Sequence, residues 1–417
     1  MNKQNIMLFI FFFICLTYHL PGYAEDSSGS SSFDFDFKDN SLQIGGFLRS
    51  EIYYYGNQHG KLSENTISAP QTASIYLDSK LRNGIRAFIR GKDIYDPTID
   101  STEENTQISP TTTESTRTGH TGERTGRTGR PNVENLLQLE EMKLMFNINK
   151  TVFITAGKSK IKWGVSKFWN PTDFINNYHQ DILKTVDERL GVPLIKAHIP
   201  VDTSNIYLLT ILEDSSTSAK AGYAARMEIP ISTKSEFTLS ALHRGGHKNY
   251  GGDFSIGVGN FDFYAEAAMV QESSDASRST AYTLGASYEI GYADKESLII
   301  TGEYFHQSDG LSDAQNYTNY TYSFLTPSYR PFYHSRDYAM VSITMPRPFS
   351  WSDYTFNLFN LENISDQSYI LKFRVESKAI QDILFATEVT YHYGHTYGEF
   401  RYGGQLLDLS LSAEVNF

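Results

Sequence analysis

The chain is poor in cysteine and, beyond its N-terminus, in long apolar runs, and each shortage excludes a class of protein. Its one cysteine, Cys15, lies within the N-terminal apolar run. The rest of the chain therefore has no thiol for a disulfide framework or a cysteine metal site. No later stretch approaches the roughly 20 apolar residues that a membrane-spanning helix needs. The 417 residues thus exclude a bundle of membrane helices.

Positive charge, tryptophan and proline are also scarce. Lysine and arginine number 36 against 48 aspartates and glutamates, which gives a formal net charge of −12. The chain offers no basic face for neutralising phosphates, so nucleic acid is not an expected partner. Tryptophan numbers 3 and proline 13, whereas tyrosine and phenylalanine number 28 and 27. This composition favours β-strands.

The N-terminus has the layout of a secretory signal peptide. Lys3 precedes an apolar run from Ile6 to Leu16, and helix-breaking and small residues follow as far as Ala24. We predict that residues 1–24 are cleaved off after export. An uncleaved membrane anchor is the alternative, but the apolar run is shorter than a membrane span.

Apolar and polar residues alternate with period two along most of the chain, which indicates half-buried strands rather than helices. The clearest case is 407–417, where Leu, Ala, Val and Phe occupy one face and Asp, Ser, Glu and Asn the other. After a Ser-rich linker at 25–40, about 18 such runs fill a single domain at 41–417. The candidate strands are 41–55, 71–81, 84–96, 134–149, 151–163, 192–201, 203–214, 218–229, 234–247, 250–258, 260–272, 278–291, 295–308, 335–347, 352–362, 365–377, 382–395 and 402–417.

The connections between these strands alternate in length. Long ones, such as 97–133 and 164–191, alternate with tight turns such as Asn149-Lys150 and Val201-Asp202. Long loops on one rim and short turns on the other are typical of a membrane barrel, whose backbone must close on itself in lipid. We predict an all-β fold, a transmembrane antiparallel up-and-down β-barrel of about 18 strands, with 16 as the alternative. A secreted β-sandwich or β-helix is the soluble alternative.

Two motifs resemble those of a known family. Residues 157–164, Gly-Lys-Ser-Lys-Ile-Lys-Trp-Gly, are followed by Asn-Pro-Thr-Asp at 170–173 and Asp-Glu-Arg at 187–189. A basic strand ending in Trp-Gly before an Asn-Pro-x-Asp loop resembles a motif of porin-like outer-membrane barrels related to alginate-export and carbohydrate porins. Phe417 resembles the C-terminal signature that such barrels present to the barrel-assembly machinery. The resemblance implies a passive channel in the cell outer membrane, in contact with lipid and lipopolysaccharide.

In such a barrel the faces opposite the apolar stripes line the lumen. The basic pore-lining candidates on these faces are Arg49, Arg86, Arg90, Lys92, Lys143, Lys158, Lys160, Lys162 and Arg374. Charged rings select ions by sign, so this set favours anionic solutes. A charge-balanced lumen is the alternative, because carboxylates share these faces: Glu51, Asp78, Glu141, Asp262, Glu266, Glu289, Glu388, Asp408 and Glu414. The register of 151–163 stays open, because Val152 and Ile154 have the same parity as its lysines.

The loop 164–191 is the predicted constriction of the pore. Its candidate residues, with the tryptophan that precedes it, are Trp163, Asn170, Pro171, Asp173, Asp187 and Arg189. Asp181 can cap a short helix that ends near Gly191, either folded into the barrel or packed on its rim. The Thr-Gly and Arg repeats of 97–133 are low in complexity and are not expected to pack. The tyrosines of 309–334 suit either sugar stacking or an aromatic girdle.

Together these patterns predict a channel for small hydrophilic solutes, with anionic compounds and carbohydrates as candidates. The alternative is a plugged barrel that serves as a surface scaffold or adhesin through its long loops. An enzyme or cofactor site is not expected. The pairs His243/His247 and His392/His395 have no third metal ligand nearby, and no Gly-x-Ser-x-Gly element is present. The oligomeric state stays open, with a homotrimer among the arrangements.

Overall fold

The computed structural model describes residues 33–37, 40–57, 66–81, 84–98, 138–176, 190–213, 220–272, 278–293, 296–312, 335–380, 382–395, 398–401 and 405–417. These residues form strands and two single 3-10 turns, at Pro348–Ser350 and Glu399–Arg401. The strands are β1 (Phe33–Phe37), β2 (Asn40–Asn57), β3 (Thr66–Ser68), β4 (Gln71–Lys80), β5 (Arg86–Tyr95), β6 (Gln138–Ile148), β7 (Val152–Ser159), β8 (Val192–Val201), β9 (Ser204–Ile211), β10 (Gly222–Ser232), β11 (Ser235–Arg244), β12 (His247–Val258), β13 (Phe261–Glu272), β14 (Arg278–Ala293), β15 (Glu296–Gln307), β16 (Asp337–Pro346), β17 (Tyr354–Asn363), β18 (Ser368–Ile380), β19 (Ile383–Gly394) and β20 (Gln405–Asn416).

The strands from β4 to β20 each pair antiparallel with the next, and β2 pairs with both β4 and β20, which closes the sheet into a barrel. Of the 20 strands, β3 and β4 both pair with β2. They count as one strand of the barrel, interrupted at Ala69 and Pro70. Proline has no N–H to donate to the ladder. β1 folds back on the start of β2, outside the ring. The barrel therefore has 18 strands, which confirms the predicted fold class and strand count.

Side chains alternate between the outside and the inside of this ring. In β10, Tyr223 and Met227 are exposed on the outer face, whereas Ala224 and Arg226 are buried on the inner one. The outer face carries large exposed apolar side chains, among them Leu48, Ile75, Leu144, Leu208, Leu239, Leu284, Val341, Phe373 and Val415. Stacked outer aromatics occur near both rims, Tyr369 on Tyr393 at 4.7 Å and Phe261 on Tyr288 at 4.3 Å between ring centroids. Among the described residues, no helix is long and apolar enough to cross a bilayer.

The two rims of the barrel differ in their connections. We call the end with the short turns 149–150, 202–203 and 259–260 the turn rim, and the opposite end the loop rim. Asn149 and Lys150 have φ of 51° and 57°, the left-handed pair that a two-residue type I′ hairpin turn requires. Most connections at the loop rim are longer, although 245–246 and 364–367 are short there and 347–353 is the longest described connection at the turn rim.

β7 is shorter than predicted, because the chain leaves the sheet after Ser159 rather than after residue 163. Gly157 has φ of 128°, and a Cβ at this position would lie 2.1 Å from the carbonyl oxygen of Met142. Only glycine accepts this conformation and this close approach without strain. The basic residues beyond Ser159 therefore belong to a segment that turns into the barrel.

Candidate channel constriction

Residues 160–176, here called the inward segment, cross the lumen and contact the opposite wall. At its far point Trp169 is fully buried and stacks on Phe305, with ring centroids 5.4 Å apart, beside Tyr338 at 6.1 Å. Phe168 contacts Phe359 at 5.2 Å. These side chains belong to one buried apolar cluster inside the barrel: Trp169, Ala281, Phe305, Tyr338, Met340, Leu361, Ile370 and Phe400.

Glu303 on β15 holds the backbone of the segment. Its carboxylate accepts the N–H groups of Lys167 at 2.6 Å, Phe168 at 3.0 Å and Trp169 at 3.1 Å, and the hydroxyl of Tyr264 at 2.8 Å. Hydrogen bonds to an ionised acceptor are about twice as strong as neutral ones. Three successive backbone donors thus converge on one buried carboxylate.

Glu266 on β13 also holds the inward segment, through residues on both sides of those that Glu303 contacts. It accepts the N–H of Ser166 at 2.6 Å, the side-chain amide of Asn170 at 2.9 Å and the hydroxyl of Thr172 at 2.8 Å. Gly164 passes over this carboxylate with φ of 96°, and a Cβ there would lie 2.5 Å from its oxygens. Glycine is required because both the conformation and the space exclude a side chain.

The base of the segment is closed by its own contacts. Asp173 accepts the N–H of Trp163 at 3.4 Å, and Asn176 donates to the carbonyl of Ile161 and to Asp173, both at 2.7 Å. The indole of Trp163 is buried in a second apolar cluster with Ile175, Val192, Leu194, Leu209, Ile211, Ala224 and Leu242. The segment is therefore fixed both at its base and at its tip.

The structure brings together four of the six predicted constriction residues. Trp163, Asn170, Pro171 and Asp173 lie in the inward segment or at its base. Asp187 and Arg189, and the helix predicted from Asp181, lie outside the described residues. No local pattern distinguishes Trp169, and Glu266 was predicted only as a lumen charge, because both roles depend on contacts with distant strands.

Most of the predicted pore-lining cations are paired with carboxylates. The inward faces of β4 to β8, here called the basic wall, hold several of these pairs. The pairs are Arg86 with Asp78, Lys92 with Glu140 at 3.5 Å, Lys143 with Glu141 at 2.7 Å, and Lys160 with Glu140 at 3.3 Å. Elsewhere Arg49 pairs with Glu414 at 2.5 Å and Arg374 with Glu388 at 2.8 Å. A large part of the lumen is therefore charge-balanced.

Two cations of the basic wall stand apart from this pattern. The guanidinium of Arg90 lies over Phe88 and Tyr76, 5.3 and 5.5 Å from the ring centroids. The ammonium of Lys196 on β8 lies 6.0 Å from the ring centroid of Tyr207. Neither forms an ion pair with a carboxylate in the part of the chain that the structure describes. Lys196 was not among the predicted pore-lining residues, because the alternation of β8 is weak.

Two predicted pore-lining lysines have other positions. Lys158 is the Cα partner of Met142, and Met142 is exposed on the outer face with Leu144. The pairing thus places Lys158 on the outer face of the barrel, one of the two possibilities that the sequence left open. Lys162 is exposed in the inward segment, beyond the end of β7. It therefore occupies no wall position in the sheet.

A second stretch, 398–401, also turns inward and was not predicted. Phe400 is buried beside Tyr338, with ring centroids 6.2 Å apart. Glu399 accepts the hydroxyl of Tyr338 at 2.5 Å, and His392 contacts the carbonyl of Phe400 and the carboxylate of Asp408, both at 2.9 Å. His392 thus has a structural role. Within the described ranges, no group of three or more His, Asp or Glu side chains is arranged to hold a metal ion.

Comparisons with known proteins agree on the architecture. No protein-family model matches the chain, and no curated protein matches it. Similar solved structures include Acinetobacter baumannii OccAB1 (TM-score 0.56, 10% identity, covering 94% of this chain and 99% of that one). Pseudomonas aeruginosa OccK5 (TM-score 0.55, 7% identity, 90% and 98%) and the Pseudomonas aeruginosa outer membrane protein OprD (TM-score 0.55, 7% identity, 93% and 96%) are also similar. At these identities the likeness shows the fold, a closed barrel.

Proposed function

We propose that the chain is an outer-membrane channel through which small hydrophilic solutes diffuse passively, with anionic solutes favoured. The observation that carries the proposal is the inward segment, which crosses the lumen of a closed barrel beside a basic wall where Arg90 and Lys196 form no ion pair with a described carboxylate. A constriction beside a charged wall selects solutes by size and by sign.

The membrane location rests on the outer surface and on the backbone. Apolar side chains are exposed around the ring, and the closed sheet leaves no unpaired edge in a bilayer. The signal peptide predicted at 1–24 supports export. OprD, with the same fold, is an outer membrane protein. Cleavage after Ala24, recognition of Phe417 by the assembly machinery and a homotrimeric state stay predictions.

The preference for anions rests on which charges a solute meets. The carboxylates of Glu266 and Glu303 are only 2% and 4% exposed, because the inward segment covers them. The paired charges of the basic wall largely cancel. The remaining positive charge of Arg90 and Lys196 then sets the sign of the potential, as rings of Arg and Lys do in anion pores.

Single-channel recording in planar bilayers tests the proposal. We expect discrete open-state currents and, in a KCl gradient, a reversal potential that indicates anion selectivity. The double variant Arg90→Gln/Lys196→Gln should lower the anion-to-cation permeability ratio about twofold or more. Lys234→Gln removes one positive charge at the exposed turn 233–234, away from the constriction, and should leave the ratio unchanged. Cation selectivity of the wild type would contradict the anion preference.

The two inward stretches also suit a second candidate function, a plugged barrel that acts as a surface scaffold or adhesin. Both 160–176 and 398–401 occupy lumen space and pack on the same apolar cluster. A folded, membrane-inserted protein that passes no current at any voltage would exclude the channel and favour the scaffold.

A further inference from the structure

The outer face of the barrel has a groove between β8 and β12, near the loop rim. Its volume is about 570 Å³. The floor consists of small side chains on three strands, Ala197, Ala225 and Ala241. Leu208, between Ala197 and Ala225, and Tyr250, next to Ala241, flank the pair Ala225 and Ala241 with exposed fractions of 48% and 46%. The register places these side chains in one row across the sheet. The alanines leave a groove because other outer positions carry large apolar groups.

Cations lie at the loop-rim end of this groove. His243 and Lys248 are Cα partners across the β11–β12 hairpin, line the groove and are exposed. Lys220 contacts the adjoining turn, with its Cγ 3.2 Å from the Cβ position of Gly245. Its ion pair with Glu213, at 3.5 Å, is exposed on both sides and is therefore weak. Lys248 has no carboxylate partner among the described residues.

The hairpin between β11 and β12 explains why the groove is open at this end. Gly245 and Gly246 form a two-residue turn, whereas most connections at the loop rim are longer. A molecule that lies along the outer face can therefore extend past the rim and reach Lys248 and His243.

We propose that this groove binds one acyl chain of a phosphorylated glycolipid, of the lipid A type, whose phosphate contacts Lys248 and Lys220. An apolar channel that ends in cations is complementary to an amphiphile with an anionic head, and anionic headgroups attract basic side chains at the membrane surface. A second copy of the chain would bring the same cations to the groove, so charge disfavours it. The proposal rests on the proposed function, which places the loop rim in the outer leaflet.

Native mass spectrometry of the detergent-purified protein tests the site, with bis-phosphorylated lipid A as the probe and dephosphorylated lipid A as its matched competitor. We expect one tightly retained lipid and a preference for the phosphorylated form. Lys248→Gln/Lys220→Gln should weaken retention about fivefold or more. Ala241→Leu, which fills the floor, should do the same without a change of charge. Lys234→Gln at the turn rim is the control.

Several outcomes would overturn this proposal. Equal retention by the wild type and by both kinds of variant would exclude the groove as the site. Equal binding of dephosphorylated lipid would exclude phosphate recognition. Oligomers that Ala241→Leu dissociates would show that a second copy occupies the groove. Bilayer currents of the same variants report on the channel separately, since the groove lies outside the lumen.

Discussion

Two walls of the barrel use carboxylates in opposite ways. On the basic wall, acids such as Asp78 and Glu141 pair with neighbouring basic side chains. On the inward faces of β13 to β15, here called the anchor wall, Glu266 and Glu303 accept backbone N–H groups of the inward segment. The first arrangement balances charge within the wall, and the second fixes a separate piece of chain. The parity of a carboxylate in a strand thus gives its face but not its partner.

The difference changes the electrostatics of the pore. A count of inward-facing residues treats every carboxylate as equally available to a solute. Glu266 and Glu303 are covered, whereas Arg86 on the basic wall has a side chain that is 46% exposed. In the proposed channel, the lumen is therefore more positive toward a solute than a count of inward-facing carboxylates indicates.

The largest effect is expected from breaking the anchor wall at Glu303→Gln. The amide keeps one acceptor oxygen but turns a donor toward the N–H groups of Phe168 and Trp169. Each buried group left unpaired costs about 1–3 kcal/mol, so the segment should detach. Single-channel conductance should rise about twofold or more, with added current noise. Glu376→Gln, near the turn rim and away from the segment, is the control. An unchanged conductance would contradict the anchoring role.

A smaller effect is expected from Trp169→Ala, which keeps both carboxylate anchors. Removing a fully buried aromatic side chain leaves a cavity that costs about 3–5 kcal/mol, but that cost falls on the segment rather than on the strand ladder. Conductance should increase while the heat resistance of the barrel on gels changes little. Trp351→Ala at the turn rim, where the indole is 44% exposed, should have no such effect. If it matches Trp169→Ala, the loss of an indole anywhere would explain the result.

Gly164→Ala sharpens the comparison, because it perturbs Glu266 without altering its charge. The new Cβ would meet the Glu266 carboxylate, and the left-handed φ adds about 1–2 kcal/mol of strain. Gly259→Ala is a matched control, with φ of 63° and no atom within 4 Å of its Cβ position. Limited proteolysis should cleave the segment faster in the first variant only. Equal rates would show that strain alone decides the outcome.

The smallest effect is expected on the basic wall, from Asp78→Asn. This change releases the half-exposed Arg86 from the buried Asp78. Losing a hydrogen-bonded charged partner costs about 1–3 kcal/mol, so thermal unfolding should shift only modestly. The reversal potential should move slightly further toward anions, because one lumen cation loses its neutralising partner. A shift toward cations would show that Asp78 and not Arg86 faces the solutes.

The strands of the barrel wall could be predicted from the sequence, but the contacts of the segments inside the lumen could not. The alternation at 407–417 and in the other runs predicted all 18 barrel strands, because inward and outward side chains follow each other with period two. The exit of the chain after Ser159 was missed, since the alternation from Val152 and Ile154 continues into the lysines beyond that point. A backbone φ and a close approach to another strand have no periodic signal.

The constriction shows the same limit. A local motif indicated Trp163, Asn170 and Asp173, and part of their contacts is local: Trp163 with Asp173 and Asn170 with Ser166. The hydrogen bonds to Glu266 and Glu303 join residues 94 to 136 positions apart, and no local pattern announces such a pairing. β8 is weakly patterned, so Lys196 could be placed only by the register.

The closure of the ring has a consequence for the order of folding. Gly46 and Phe417 exchange backbone hydrogen bonds of 2.8 and 3.0 Å, and Arg49 pairs with Glu414 across 365 positions. Contacts between such distant parts of the chain carry the largest loop-closure entropy and form slowly. The contacts of the inward segment span about a third of that separation. We therefore expect the segment to dock on its strands before the seam forms, so that the barrel closes around a constriction already in place.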